Sequence, residues 1–203
     1  MNRIPTFPPS NDWDKRMISE DICPSLTPVK TVHNNPWFTV NNRGGYFTTE
    51  MKESQGVILP IVDRKSIILV RVYRPVIEDE TLELPAGGFS LNKESPEKGL
   101  NRELAEETGV ILEDISRLVP LPPIAVSPNR NPNLIFPFKV DITQKEYDSR
   151  KNHDNEIKEV LCVSFSQVIK MIQSGEIYVA LPMAIILRFL GQIDLQKYTI
   201  IQN

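Results

Sequence analysis

Few folds accommodate the segment between Thr81 and Gly109. Thr81-Leu82-Glu83-Leu84 is a short β-prone run that stops at Pro85-Ala86-Gly87-Gly88, a turn signal. Ser95 then offers a helix N-cap, Pro96 suits the first helical position, and Gly109 stands where a helix ends in glycine. Leu100, Leu104 and Ala105 give a helix over 96–108 a buried side at helical spacing. A strand, a glycine turn and a bounded helix follow one another in a single short stretch.

The flanks supply the sheet. Gly56 to Val62 and Ser66 to Arg74 are rich in β-branched residues and read as buried strands, with Asp63-Arg64-Lys65 as the turn between them. Upstream, Trp37 to Val40 and Tyr46 to Thr49 flank Arg43-Gly44-Gly45 and read as a hairpin. The first 30 residues show no period and are expected to lie over the surface. Further strands are expected near 115–126, 133–142 and 160–165. Ser164 or Ser166 is placed to cap a helix running to Ser174 before Gly175, and Pro182 to Leu190 reads as a last helix closed by Gly191. Strands, helix, strands and helices joined by short links predict a mixed α/β (α+β) sandwich. The expected division is an N-terminal extension with a hairpin over 1–52 and a larger domain over 53–203.

Proline supports a mixed fold over a helical bundle: 17 of 203 residues are proline, more than the usual ~5%. The prolines crowd before residue 37 and between Pro120 and Pro137, which marks both as loop-rich. A net charge of -3 and a pI of about 5.5 argue against a nucleic-acid partner held by bulk charge. Cys23 and Cys162 are far apart and have no metal spacing. Met1 to Ser10 carries no apolar run, and Val179 to Leu190 is broken by Pro182 and Arg188. Neither a signal peptide nor a membrane span is expected, and the expected compartment is the cytoplasm.

The chemistry is expected on the 96–108 helix. Glu103 and Glu107 lie one turn apart on one face, with Glu106 beside them and Arg102 adjacent. From Glu94 to Glu107 there are five glutamates against Lys98 and Arg102, so the chain's negative charge is concentrated here. An exposed acidic face is the plainer reading of such a cluster. The preceding Gly-Gly segment, which lets backbone and ligand approach closely, favours a site for a hard divalent cation such as Mg²⁺ or Mn²⁺.

Gly88, five residues, Glu94, seven residues, then Arg102-Glu103-Leu104-Ala105-Glu106-Glu107-Thr108-Gly109-Val110 resembles the Nudix box at every fixed position. The resemblance implies the Nudix hydrolase fold, an α/β/α sandwich on a mixed sheet, and Mg²⁺- or Mn²⁺-dependent hydrolysis of nucleoside diphosphates linked to another moiety. Glu83 to Gly88 resembles the lead-in of the ADP-ribose and nucleotide-sugar pyrophosphatase branch. Val72-Tyr73-Arg74 and Asn35-Pro36-Trp37 resemble further segments of that branch. Ser127-Pro128 resembles its downstream marker loop, but with Asn129 where glycine is usual and a few residues late.

By that resemblance Glu103, Glu106, Glu107 and the carbonyl of Ala86 are metal ligands, and Arg102 orients the carboxylates. Glu156 is the implied general base, with Asp154 second. Arg74 contacts phosphate or ribose, Glu83 fixes Arg102 or touches the terminal ribose, Trp37 stacks on adenine, and Pro128 marks the substrate loop. On the residues alone, Trp37 reads equally as a cover for the core, Arg74 as a sheet-edge cation in a salt bridge, and Glu156 as a solvated loop acid. The branch also implies a homodimer built partly through the N-terminal sheet. The alternatives carried forward are a hydrolase of GDP-mannose or of a nucleoside triphosphate, and a non-catalytic ADP-ribose-sensing domain.

Overall fold

The computed structural model describes residues 26–90 and 92–200, with side chains to residue 192. Up to residue 25, the expectation for the N-terminal segment falls outside the described residues, as does Cys23.

Three antiparallel strands form a small sheet: β1 (Val29–Asn34), β2 (Phe38–Arg43) and β3 (Tyr46–Met51), in the order β1-β2-β3. The predicted hairpin is β2 and β3, turning through Gly44 and Gly45, both at positive φ. Sequence reading did not anticipate β1, whose residues are all exposed and show no alternation. Asn35 to Trp37 lie in the β1–β2 connection, not in a strand.

The large sheet begins with β4 (Ser54–Val62) and β5 (Ser66–Arg74), then β6 (Asp79–Glu83) and β7 (Ala86–Phe89). After helix α1 (Pro96–Thr108) come β8 (Val119–Pro120), β9 (Ile135–Ile142), the short helix α2 (Gln144–Asp148), β10 (Ile157–Ser164), α3 (Phe165–Ser174) and α4 (Ala180–Ile200). The strand order is β10-β5-β4-β9-β8, with β6 on β5 and β7 on β4. The β4–β9 pair is parallel and the others are antiparallel, so the sheet is mixed.

The central strands are apolar on both faces because both are covered. Val57, Leu59 and Ile61 of β4 pack with Ile67 and Leu69 against Val168 and Met171 of α3 and Ile185 and Ile186 of α4. Ile58, Val62 and Ile68 point the other way, against Leu100 and Leu104 of α1 and Phe89. The result is the expected sandwich: α1 on one face, α3 and α4 on the other.

Four local expectations are corrected. The Pro85 to Gly88 segment is not a turn: Ala86 to Phe89 form β7, paired with Ser54 to Val57. Segment 115–126 holds a single 3-10 turn (Ile115–Arg117), the two-residue β8 and an isolated bridge at Ile124, because its prolines remove ladder donors. Ala105 is only half-buried. The last helix passes through Gly191, where a glycine costs only about 1 kcal/mol and nothing crowds the backbone.

Candidate active site

Helix α1 starts and stops as its sequence dictates. The Ser95 side chain accepts the Lys98 N–H at 3.4 Å, Pro96 opens the first turn, and Gly109 closes the last at φ 74°. Gly109 is doubly constrained, since a Cβ there would also lie 1.9 Å from the Lys151 carbonyl oxygen. That contact seats the 151–156 loop on the end of the helix: Lys151 N–H donates to Gly109 O at 2.8 Å, and Asp154 N–H to Glu106 O at 2.8 Å.

With Leu100 and Leu104 buried, positions three residues further on fall at the edge of the buried face. Those positions are Glu103 and Glu107. The Glu103 side chain is 15% exposed, whereas that of Glu106 is 48% exposed. Arg102 stands over the outer carboxylates, 2.8 Å from Glu103 Oε1 and 3.0 Å from Glu106 Oε2. It also donates to the Gly88 carbonyl at 3.3 Å and approaches Glu94 at 3.6 Å. Arg102 thus touches two of the carboxylates at once, with Glu94 beside it.

Glu107 is held differently. Its Oε2 accepts the Ala86 N–H at 3.0 Å. Burial pushes the Glu107 carboxyl up to about 8, with the negative charges of Glu103 and Asp154 adding and the Ala86 N–H and Arg74 opposing. Burial likewise raises Glu103, against the pull of Arg102. Ionising these two carboxylates where they stand is therefore costly. Among the described residues no group of three His, Cys, Asp or Glu side chains converges closely enough to enclose an ion. The donor chemistry nevertheless suits a hard divalent cation: carboxylate oxygens, whose ionised form such an ion would favour.

Arg74 of β5 reaches along the β5–β6 ladder, where its own partner is Asp79, to form a two-pronged pair with Glu83 of β6, both N–O distances 2.8 Å. Thr81 donates to the same carboxylate at 2.6 Å. Burial pushes Glu83 up, but the Arg74 and Thr81 hydrogen bonds outweigh it and leave the carboxyl below its ordinary range. Glu83 therefore fixes Arg74, nine residues before it, and among the described residues makes no ion pair with Arg102. Glu107 and Glu156 both act on the charge of Arg74, which brings the β5 arginine, the helix and the 151–156 loop into one electrostatic neighbourhood. Asp154 Oδ1 accepts the Glu156 N–H at 3.1 Å, so the two acids of that loop are locked to one another.

The two outer residues stand apart. Trp37 is 70% exposed, its backbone N–H held by the Asn35 side chain at 2.9 Å. Pro128 is exposed in a turn closed by Arg130 N–H to Ser127 O at 2.9 Å. Among the described residues no hydrogen bond or ion pair joins either to the carboxylates. Conversely, two residues that sequence reading passed over border the site. A Cβ on Gly88 would meet Glu53 Oε2 at 3.1 Å and Gln55 Nε2 at 3.3 Å. No local pattern marks Glu53; only the β4–β7 pairing brings it there.

Known proteins share part of this sequence and its fold. Over 121 residues, 60% of this chain, it is 28% identical to an ADP-ribose pyrophosphatase of Bacillus subtilis (strain 168). Over the same length it is 25% identical to a methanol dehydrogenase activator of Bacillus methanolicus. In each case the match spans 63% of the relative's length. A solved structure described as an ADP compounds hydrolase superposes with a TM-score of 0.65 at 19% identity, covering 84% of this chain and 94% of that one, and so shares the fold. Residues 52–180, which take in every strand of the large sheet, match the NUDIX domain, and the chain belongs to the Nudix family.

Proposed function

We propose that the chain is a metal-dependent pyrophosphohydrolase acting on ADP-ribose or a related nucleoside diphosphate sugar, releasing a nucleoside monophosphate and a sugar phosphate. One observation carries the reading. Three carboxylates lie along one side of α1, two of them at its buried edge and one of those raised to about 8, beside a strand whose glycine lets the helix come close.

Glu103, Glu106, Glu107 and the Ala86 carbonyl would hold Mg²⁺ or Mn²⁺. Such an ion offsets charge on the phosphates and lowers the pKa of a bound water. Glu156, anchored through Asp154, takes a proton from the attacking water, whose oxygen forms the new bond to phosphorus as the anhydride bond breaks. Asp154 is the second choice for that role. Arg102 keeps the outer carboxylates in register. Arg74, preorganised by Glu83, presents its guanidinium to phosphate or ribose. Trp37 and Pro128 bind the remainder of the substrate.

The exposed apolar side chains of the small sheet, Val32, Trp37, Tyr46 and Phe47, support a homodimer formed through it. They also support treating 1–52 as an N-terminal extension and 53–203 as the catalytic domain. No described helix is long and apolar enough to cross a membrane. We place the enzyme in the cytoplasm on the two widely separated cysteines, which need no oxidising compartment.

Assay of ADP-ribose beside GDP-mannose and nucleoside triphosphates, with Mg²⁺ or Mn²⁺, tests the reading. Strong turnover of another substrate with ADP-ribose untouched would overturn the specificity. No turnover of any of them would overturn the hydrolase assignment and favour a binding domain.

A further inference from the structure

The outer edge of β3 is not free. Thr49 N–H donates to Arg130 O at 2.8 Å, and Met51 N–H donates to Asn133 Oδ1 at 2.7 Å. These are alternate residues of an edge strand, and their other neighbour is β2. The 127–133 loop therefore occupies the place of a fourth strand on the small sheet, with one backbone carbonyl and one side-chain oxygen as acceptors. Asn133 is the better anchored of the two acceptors. It is 7% exposed, and its own N–H donates to Asn131 Oδ1 at 2.9 Å. Asn131 N–H and Arg130 N–H both return to Ser127 O, at 2.7 and 2.9 Å, so the loop is a closed unit hung on Asn133. Its tip, Pro128 to Arg130, is exposed, and among the described residues Arg130 has no ion pair.

Sheet register sets the distance from the foot of this loop to β7. Ile135, two residues beyond Asn133, pairs with Gln55 of β4, and Gln55 pairs with Gly88 of β7. Two strand spacings amount to about 10 Å. Gly88 carries the carbonyl that holds Arg102. The loop thus rises at the sheet end where the carboxylates sit, within reach of an extended substrate held there by its phosphates.

We propose that Asn133 is a positioning residue, which latches the 127–132 loop onto β3 and thereby sets where the guanidinium of Arg130 stands to meet an anionic or hydroxyl-rich part of the substrate. The proposal rests on the pyrophosphohydrolase reading above for its substrate class; the latch itself does not. Asparagine suits the position because a buried backbone N–H left without its acceptor is costly, and aspartate is the one replacement that keeps the acceptor at the same reach.

The test combines amide hydrogen exchange with steady-state kinetics on the full chain. In the native protein, Thr49 and Met51 amides are expected to be protected although they lie on an outer sheet edge; rapid exchange at both would overturn the latch whatever the enzyme hydrolyses. Asn133→Ala is expected to speed exchange at both amides by about tenfold, the fold-change carried by one buried hydrogen bond. It should also raise KM for the nucleoside diphosphate sugar by a similar factor while kcat stays within about twofold. Asn133→Asp should restore both. Arg130→Gln leaves the backbone carbonyl in place, so it should keep the protection and reproduce the rise in KM. Faster exchange at Met51 alone, a fall in kcat matching any change in KM, failure of aspartate to restore either readout, or an unchanged KM in Arg130→Gln would each overturn the proposal. If the native protein hydrolysed no nucleoside diphosphate sugar, the substrate reading would fall, and exchange at the two amides would still decide the latch.

Discussion

A Cβ placed on Gly87 would lie 2.0 Å from the carboxyl carbon of Glu103 and 2.4 Å from its Cγ. The glycine thus serves the helix that follows it, not a turn: β7 carries no side chain where the α1 carboxylate must pass. Gly87→Ala is expected to leave the fold intact, because the clashing atoms are the far end of a flexible side chain. Displacing that carboxylate by about 1 Å should cost on the order of 10²-fold in kcat/KM. Circular dichroism and a thermal melt alongside the kinetics check it; a variant that melted far below the native protein would make Gly87 a folding residue instead.

Activity should depend on an added divalent cation. Treatment with a chelator is expected to abolish turnover, and Mg²⁺ or Mn²⁺ to restore it, since Glu103, Glu106 and Glu107 supply only hard oxygen donors. Glu106→Gln removes the most exposed of the three charges and should reduce kcat by at least about 10²-fold. Full activity in the chelated protein would remove the metal from the mechanism.

The Arg74–Glu83 pair gives a separate test of substrate contact. Lysine at 74 keeps the charge but cannot make the two-pronged bond to Glu83 that now holds the guanidinium in place. Arg74→Lys is expected to raise KM by roughly tenfold with a smaller effect on kcat. An unchanged KM would reduce the pair to a sheet-edge salt bridge.

Legibility in the sequence followed the range of the forces involved. Strands β4 and β5 are continuous β-branched runs, and α1 carries both caps and an apolar spacing, so each could be read within a dozen residues. The α1 carboxylates were legible for the same reason. Strand β7 was not, because its glycines resemble a turn until Glu103 is seen to need the space. The partner of Glu83 is set by how far the Arg74 side chain reaches along the β5–β6 ladder, since the backbone register puts Glu83 opposite Val70. Glu53 beside Gly88 and Asn133 on Met51 are contacts between segments distant in the chain, the latter across 82 positions, and neither end carries a local pattern.

Glu146, like Glu50 beside Arg43, contributes to stability against acid. Hydrogen bonds from Arg117 hold its carboxyl at about 2 against 4.5 ordinarily, with burial opposing and the Thr143 N–H and hydroxyl helping. Above pH 4.5 that stabilisation is fully present. As pH falls from 4.5 towards 2, the unfolded chain takes up a proton that the folded protein refuses, and stability is lost. Glu146→Gln should flatten the dependence of the unfolding midpoint on pH in that window, measured by urea titration at several pH values. An unaltered slope would mean that other carboxylates carry it.

Glu107 titrates in the reverse sense, and this sets the function of the site against the stability of the fold. Its carboxyl ionises near 4.5 in the unfolded chain and near 8 in the folded protein. Between those values the folded protein still binds a proton that the unfolded chain has released, so stability falls as pH rises through the window. Above pH 8 the full cost of burying the charge beside Glu103 and Asp154 is present. Glutamine has no charge to bury and its side-chain oxygen can still accept the Ala86 N–H. In metal-free buffer Glu107→Gln is therefore expected to melt above the native protein at pH 8 and together with it below pH 4.5, while losing most turnover. Added Mg²⁺ should raise the melting temperature of the native protein and leave that of the variant nearly unmoved. Equal melting temperatures at pH 8 without metal would mean that the carboxylate is already compensated, and the electrostatic argument for an ion at this face would fail with it.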